Sequence, residues 1–246
     1  MKNQISQREL EIDGKRIPIT IVRERRHSIR FAVGKRAVTL RLPAILTEAE
    51  QAAQWERFTG WITGQLRQKP GLLDQFAIKT YRDKDIFWVG RRMYELRIAE
   101  VDSASHSGRL KDGVMYLRLS NNASPANRQK AIEHLLSRLV AGDFQVVITQ
   151  RVQALNERYF KVGIKGVKLK YNHSNWGSCS AKGNINLSTR LLFAPDEVID
   201  YVIVHELAHR IELNHSPRFW KLVETAMPEY KLREKWLSEN GHLCRF

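Results

Sequence analysis

Three histidines and a glutamate in the stretch VIVHELAHRIELNHSPRFW, residues 202–220, have the types and the spacing to hold a metal ion. His205 and His209 are four apart, so on an α-helix they differ by about 40° around the axis and project from one face. Glu206 lies on the flank between them. The ridge Ile199, Ile203, Leu207, Ile211 repeats every four residues on the other side, an apolar face for a core. His205-Glu206-x-x-His209 is the H-E-x-x-H pattern, in which two imidazoles supply deprotonated nitrogen donors about 2.0–2.1 Å from a zinc ion.

A catalytic zinc needs a third protein ligand and an open position. His215 comes six residues after His209. On a continuing helix it would stand about 240° away and about 9 Å along the axis, out of reach, so the helix must end first. Asn214 suits a left-handed C′ position, and Ser216–Pro217 suit the N-cap and N1 of a new helix. The sequence thus predicts a sharp turn that returns His215 to the pair. Chance alone writes H-E-x-x-H in about one chain of this length in a couple of hundred. Unpaired Glu206 and His209 would also be costly inside an apolar helix. With one Zn²⁺ per chain, Glu206 has a defined task, taking a proton from metal-activated water and delivering it to a leaving group. His173 and His242 carry no such positional argument and read as surface histidines.

The elements that must position these residues follow from patterning. Residues 8–43 alternate with period two in short segments (RELEID, RIPITIVRE, HSIRFAV, AVTLRLP), with Gly14 and Gly34 where turns are needed. TEAEQAAQWERFTGWITGQLRQ has helical spacing, with Thr47 as N-cap and Glu50 as its capping-box partner. After Pro70 come the strand-like DIFWVGRRMYELRIAE and VMYLRLS, separated by DSASHSGRLKDG, which reads as a polar loop. From Pro125 a long amphipathic helix runs to about Phe160, with Gly142 a weak point inside it. Two strand candidates, GVKLKYN and NINLST, flank HSNWGSCSAKG; the metal helix follows, with Pro195 at N1. Two short helices close the chain, one from Ser216–Pro217 to before Pro228 and one over about residues 231–239. No internal repeats or low-complexity tracts stand out. The expected fold is α+β, a β-rich region over 1–122 carrying one helix, then a helical metal-binding domain with a small sheet over 123–246.

Composition bounds the partners. With 41 Lys+Arg against 26 Asp+Glu the formal charge is +15, which favours anionic partners without choosing among them. Two cysteines, Cys179 and Cys244, make no disulfide framework, and the first twenty residues have no apolar signal-like core. No stretch approaches the roughly 18 apolar residues of a membrane span. A cytoplasmic, membrane-free protein is expected.

The segment WGSCSAKGNINLSTRLL…PDEVIDYVIVHELAHRIELNHSPRFWKLVE resembles the YgjP-like metallopeptidases, relatives of SprT-type and other zincin metalloproteases. The likeness runs from about residue 156 to the C-terminus and more loosely over the N-terminal strands. It implies zinc held by His205, His209 and His215, with Glu206 as catalytic base. The ten-residue span from first to third histidine equals that of metzincins, but Glu212 stands where those carry Gly, and no Met-turn candidate is evident. In zincins a strand beside the active helix binds extended substrate by β-augmentation. GNINLST or the WGSCS strand is the candidate, making Trp176, Asn184 and Asn186 expected substrate contacts; simple packing is the other reading of Trp176 and Cys179. Phe219 and Trp220 read as core.

Arg158, Lys161, Lys165, Lys168, Lys170 and Lys182 form a run without Asp or Glu, and RERRHSIR and GKR form a second cluster. A solvated basic surface is the common explanation. Beside a zinc cleft, however, Lys168 and Lys170 would hold an anionic substrate or nucleic acid. Three functions follow: a zinc metallopeptidase; a metal-dependent, pyrophosphatase-type hydrolase of a phosphorylated small molecule such as a nucleoside triphosphate; and a zinc-containing nucleic-acid-binding module without catalysis. No phosphate-cradling Gly-rich loop supports the second, and a three-histidine site with an open position argues against the third.

Overall fold

The computed structural model describes residues 4–12, 15–34, 38–68 and 79–246. Gly14 and Pro70, read as a turn and a break, and Lys35–Arg36 of the second basic cluster fall outside these residues. Two compact units divide the chain, Met1–Lys79 and Thr80–Phe246.

In the first unit, strands β1 (Gln4–Ile12), β2 (Lys15–Glu24), β3 (Arg30–Val33) and β4 (Val38–Pro43) precede helix α1 (Glu48–Gln68). The sheet order is β1-β2-β4-β3, with β2 and β4 parallel and the outer pairs antiparallel. Period-two alternation puts Ile17, Ile19, Val38, Leu40 and Leu42 on one face, where they meet Phe58 and Ile62 of α1. The predicted capping box starts α1. The Thr47 amide donates to the Glu50 carboxylate at 2.8 Å, and the Glu50 amide to Thr47 Oγ1 at 3.3 Å.

The second unit opens with β5 (Ile86–Val89), β6 (Arg92–Val101), β7 (Ser107–Lys111) and β8 (Val114–Ser120), followed by the 35-residue helix α2 (Pro125–Tyr159). The segment expected as a polar loop between β6 and β8 therefore contains a strand, β7. Its outward residues are polar, and a sheet-edge strand half in water carries too little apolar signal to read. The compact units also part after Lys79 and not near 122. Strands β5–β8 share their core with α2, Tyr94, Leu96, Met115 and Leu117 packing among Leu135, Leu136 and Val140.

A repeat that the sequence does not announce joins the two units. The order β5-β6-β8-β7 copies β1-β2-β4-β3, and every strand pairing recurs at a shift of 77 residues. Ile12–Lys15 becomes Val89–Arg92, Ile21–Leu40 becomes Ile98–Leu117, and Ala32–Thr39 becomes Arg109–Tyr116. The shift carries into the helix, since the N-cap Thr47 corresponds to Ser124, which accepts from the Asn127 amide. Buried positions correspond while side chains differ, Ile17 with Tyr94 and Phe58 with Leu135, so the large ring moves from helix to strand. Volume and burial are kept, identity is not.

Beyond this repeat, the second unit holds β9 (Gly166–Lys170), β10 (Gly177–Cys179) and β11 (Asn184–Ser188), then α3 (Asp196–Ala208), α4 (Pro217–Ala226) and α5 (Tyr230–Asn240). The small sheet has the order β10-β11-β9. The distal half of α2 holds this region. Its Gln145 side chain donates to the Val167 carbonyl at 3.0 Å and accepts from the Leu169 amide, clamping β9 to the helix. Arg151 reaches the first turn of α3, donating to Asp196 Oδ1 and to the Asp196 carbonyl at 2.7 Å and to Asp200. Pro195 is the N-cap of α3, not its N1, and offers no side-chain cap. Asp196 and Glu197 put negative charge at the positive end of the helix, with Asp196 held in place by Arg151. Among the described residues no helix is long and apolar enough to cross a membrane.

Candidate metal centre

Helix α3 delivers its ridge and its polar face as the spacing requires, but it stops at Ala208. Ile199, Ile203 and Leu207 are buried, whereas Ile211, past the helix end, is 40% exposed. The chain leaves through tight turns: the Arg210 amide donates to the Leu207 carbonyl at 2.9 Å and the Ile211 amide to Ala208 at 3.0 Å. The reversal is the predicted one, by a different device. Asn214 is not among the described residues with positive φ, so no left-handed C′ residue makes it. Ser216 then caps α4, accepting from the Phe219 amide, with Pro217 in the first turn.

The result gathers the three imidazoles. Their ligand nitrogens all lie within 4.8 Å of one another, and His205 Nε2 is 3.0 Å from His215 Nε2. Two nitrogens on one tetrahedral zinc stand about 3.3 Å apart for bonds of about 2.05 Å, so this donor set fits the ion. His209 Nδ1 lies 3.2 Å from the Glu212 carbonyl, the second contact that fixes a ligating ring and leaves Nε2 for a metal. Burial, with His209 and His215 alongside, pushes the pKa of His205 down to about 4, which keeps it neutral and able to donate its lone pair. His209 is also lowered, chiefly by burial. Phe219 is buried among the rings, its centroid 4.5 to 4.9 Å from each imidazole, and Trp220 stacks on His215 at 5.7 Å. Both belong to the packing, as expected; their place against the histidines was not legible, because H-x-x-x-F-W names no partner.

Glu206 is 5% exposed, and burial raises its pKa to about 7. A Cβ built on Gly177 would fall 2.5 Å from Glu206 Oε1. Only glycine lets β10 lie this close to the carboxylate. Gly177 is directly opposite Leu187, so that face of the sheet looks toward α3 and the core. Asn186 and Lys168 pair with each other one residue over, on the opposite face, and by alternation Asn184, opposite Gly166, and Lys170, opposite Ser188, stand on that same face. The structure therefore does not bring Asn184, Asn186, Lys168 and Lys170 to the histidines. β11 is also the central strand of its sheet, leaving β10 as the open edge on this side.

Trp176 precedes β10. Arg190 lies 4.7 Å over its ring and donates to the carbonyls of His173, Gly241 and Cys244, tying the C-terminal turn to the strand. His173 packs on Tyr171, and neither it nor His242 belongs to the metal-ligating group found among the described residues.

An imidazole triad on a helix and its return turn, with a buried carboxylate beside it, is a group that could hold a metal ion. The chain belongs to the YgjP-like family, whose metallopeptidase domain matches residues 26–240, and is thus a metallopeptidase domain. Among curated proteins none matches it. Two solved structures are similar in part: the metallopeptidase zymogens abylysin of Pyrococcus abyssi (23% identity) and jannalysin of Methanocaldococcus jannaschii (21%). Each covers 37% of this chain with a TM-score of 0.34, and the matched spans are 91% and 94% of those chains.

Proposed function

We propose that the protein is a zinc-dependent peptidase whose catalytic region lies within residues 123–246, with His205, His209 and His215 as ligands and Glu206 as general base. The observation that carries this reading is the convergence of three imidazoles beside one buried carboxylate. Zinc in such a site supplies Lewis acidity and acidifies a bound water. Glu206, with its pKa near 7, is matched to accept a proton at neutral pH and return it to the amine that leaves. Gly177 sets the approach of β10, so an extended peptide adding to that edge would run past Glu206 with its backbone paired. Trp176, held by Arg190, is the substrate contact we retain.

Lysines for a phosphorylated substrate would have to face the histidines, and Lys168 and Lys170 alternate to the other face. That favours a peptide. The test is incubation of the purified protein with an unfolded protein and, separately, with nucleoside triphosphates, each with zinc and with chelator. Zinc-dependent peptide cleavage is expected, and cleavage of nucleotides alone would replace this reading.

A further inference from the structure

The outward face of the β5–β8 sheet is chemically unlike its counterpart in the first repeat. Arg97, Tyr116 and Arg109 stand side by side across β6, β8 and β7, and Arg118 occupies the next outward position of β8, beside Ser107. Tyr116 is 36% exposed, and the Arg109 guanidinium lies over its ring at 5.0 Å. Asp83, Arg97, Ser107, Arg109, Tyr116 and Arg118 line a shallow depression of about 500 Å³. Arg97 is held by Glu95, whereas among the described residues neither Arg109 nor Arg118 has a carboxylate partner. At the far end of the same face Trp88 is 59% exposed beside Met93.

The fold does not require this face. Shifted by 77 residues, the positions of Arg97, Arg109, Tyr116 and Trp88 hold Thr20, Ala32, Thr39 and Glu11; only Arg118 keeps its arginine, as Arg41. The buried positions of the two sheets answer one another, so the framework is satisfied without an aromatic–arginine row on its outer side.

We propose that this face binds single-stranded nucleic acid. A tyrosine ring extended by a guanidinium gives a flat platform on which one unpaired base can stack, and the flanking arginines stand within reach of the adjoining phosphates. Outward neighbours on strands are spaced about 5 Å across and about 7 Å along the sheet, close to the spacing of successive nucleotides. A duplex, its bases stacked on each other, has no base to offer the ring. The formal charge of +15 favours an anionic strand throughout.

The experiment is fluorescence anisotropy of the full chain with a labelled oligo-thymidylate of about twelve nucleotides, at several salt concentrations. Wild type should bind with a negative salt slope. Arg97→Gln/Arg109→Gln/Arg118→Gln should lose at least about tenfold in affinity and flatten the slope by about two. Tyr116→Ala should lose about tenfold with its slope intact. Zinc content should stay at the wild-type value in all. Where circular dichroism shows the triple variant unfolded, Arg118→Gln alone must still weaken binding. Wild-type affinity in these variants overturns the proposal. So does equal affinity for duplex of the same length, displacement by poly-glutamate at matched charge, or loss on Lys168→Glu/Lys170→Glu instead.

Discussion

Between the Glu206 carboxylate and the backbone of Gly177 there is no room for a methyl group. Gly177→Ala should therefore leave zinc bound, since no ligand moves, while displacing the base. A misplacement of about an ångström costs on the order of 10² in rate, which kcat measured alongside metal content would read. Glu206→Gln keeps the side-chain shape and should keep the metal, but hydrolysis should fall by roughly 10² to 10⁴. Full activity in that variant with zinc present would remove Glu206 as the base. His215→Ala should weaken zinc binding by about tenfold or more, measured by competition with a chelator, because two imidazoles remain of three. The convergence of the three histidines could be read from type and spacing, since the return of His215 follows from where the helix must end. Gly177 could not. Its role lies in a contact between β10 and α3, and a lone glycine in a strand says only that something comes close.

Helix α3 depends on Arg151 for its direction. Arg151 donates to Asp196, and with Arg91 nearby this holds the Asp196 carboxyl below the usual carboxylate range. A depressed carboxylate contributes stability above its unfolded pKa, near 3.9, and that stability disappears as pH falls through the folded value. In metal-free protein, urea midpoints should therefore drop below about pH 4, and Arg151→Ala should shrink that drop while lowering the plateau above it. A variant with an unchanged acid limb would release Asp196 from this role. At this scale, two helices announced themselves through caps, Thr47 with Glu50 and Ser216 before Pro217, and α2 through Pro125, whereas its cap Ser124 went unread. Segments with less signal were harder. β7 was hidden by its polar outer residues, and the turn at 209–215 was anticipated for the position of His215, although 3₁₀-type bonds make it and Asn214 does not.

Two separate cores, one around Phe58 and one around Leu136, should melt as two events. Differential scanning calorimetry should resolve two transitions, and chelation should lower the one belonging to residues 80–246 while leaving the other in place. A single transition, or a shift in both, would show that the cores unfold together. The mixed α+β class was legible from period-two and period-3.6 patterning. The repeat was not, because it conserves burial and register, and identity survives at few positions, such as Leu40 and Leu117. The last residue of α1, Gln68, corresponds to Gln145 of α2. From there the two sequences part: Pro70 and Gly71 stand where α2 carries Val147 and Ile148. Gln145, which grips β9, is the last matched position, and Arg151 and Asn156, which hold α3 and the turn after α2, lie on this continuation. The candidate metal centre is thus held by the part of α2 that extends beyond the 77-residue correspondence, and His205, His209 and His215 all lie outside the repeat.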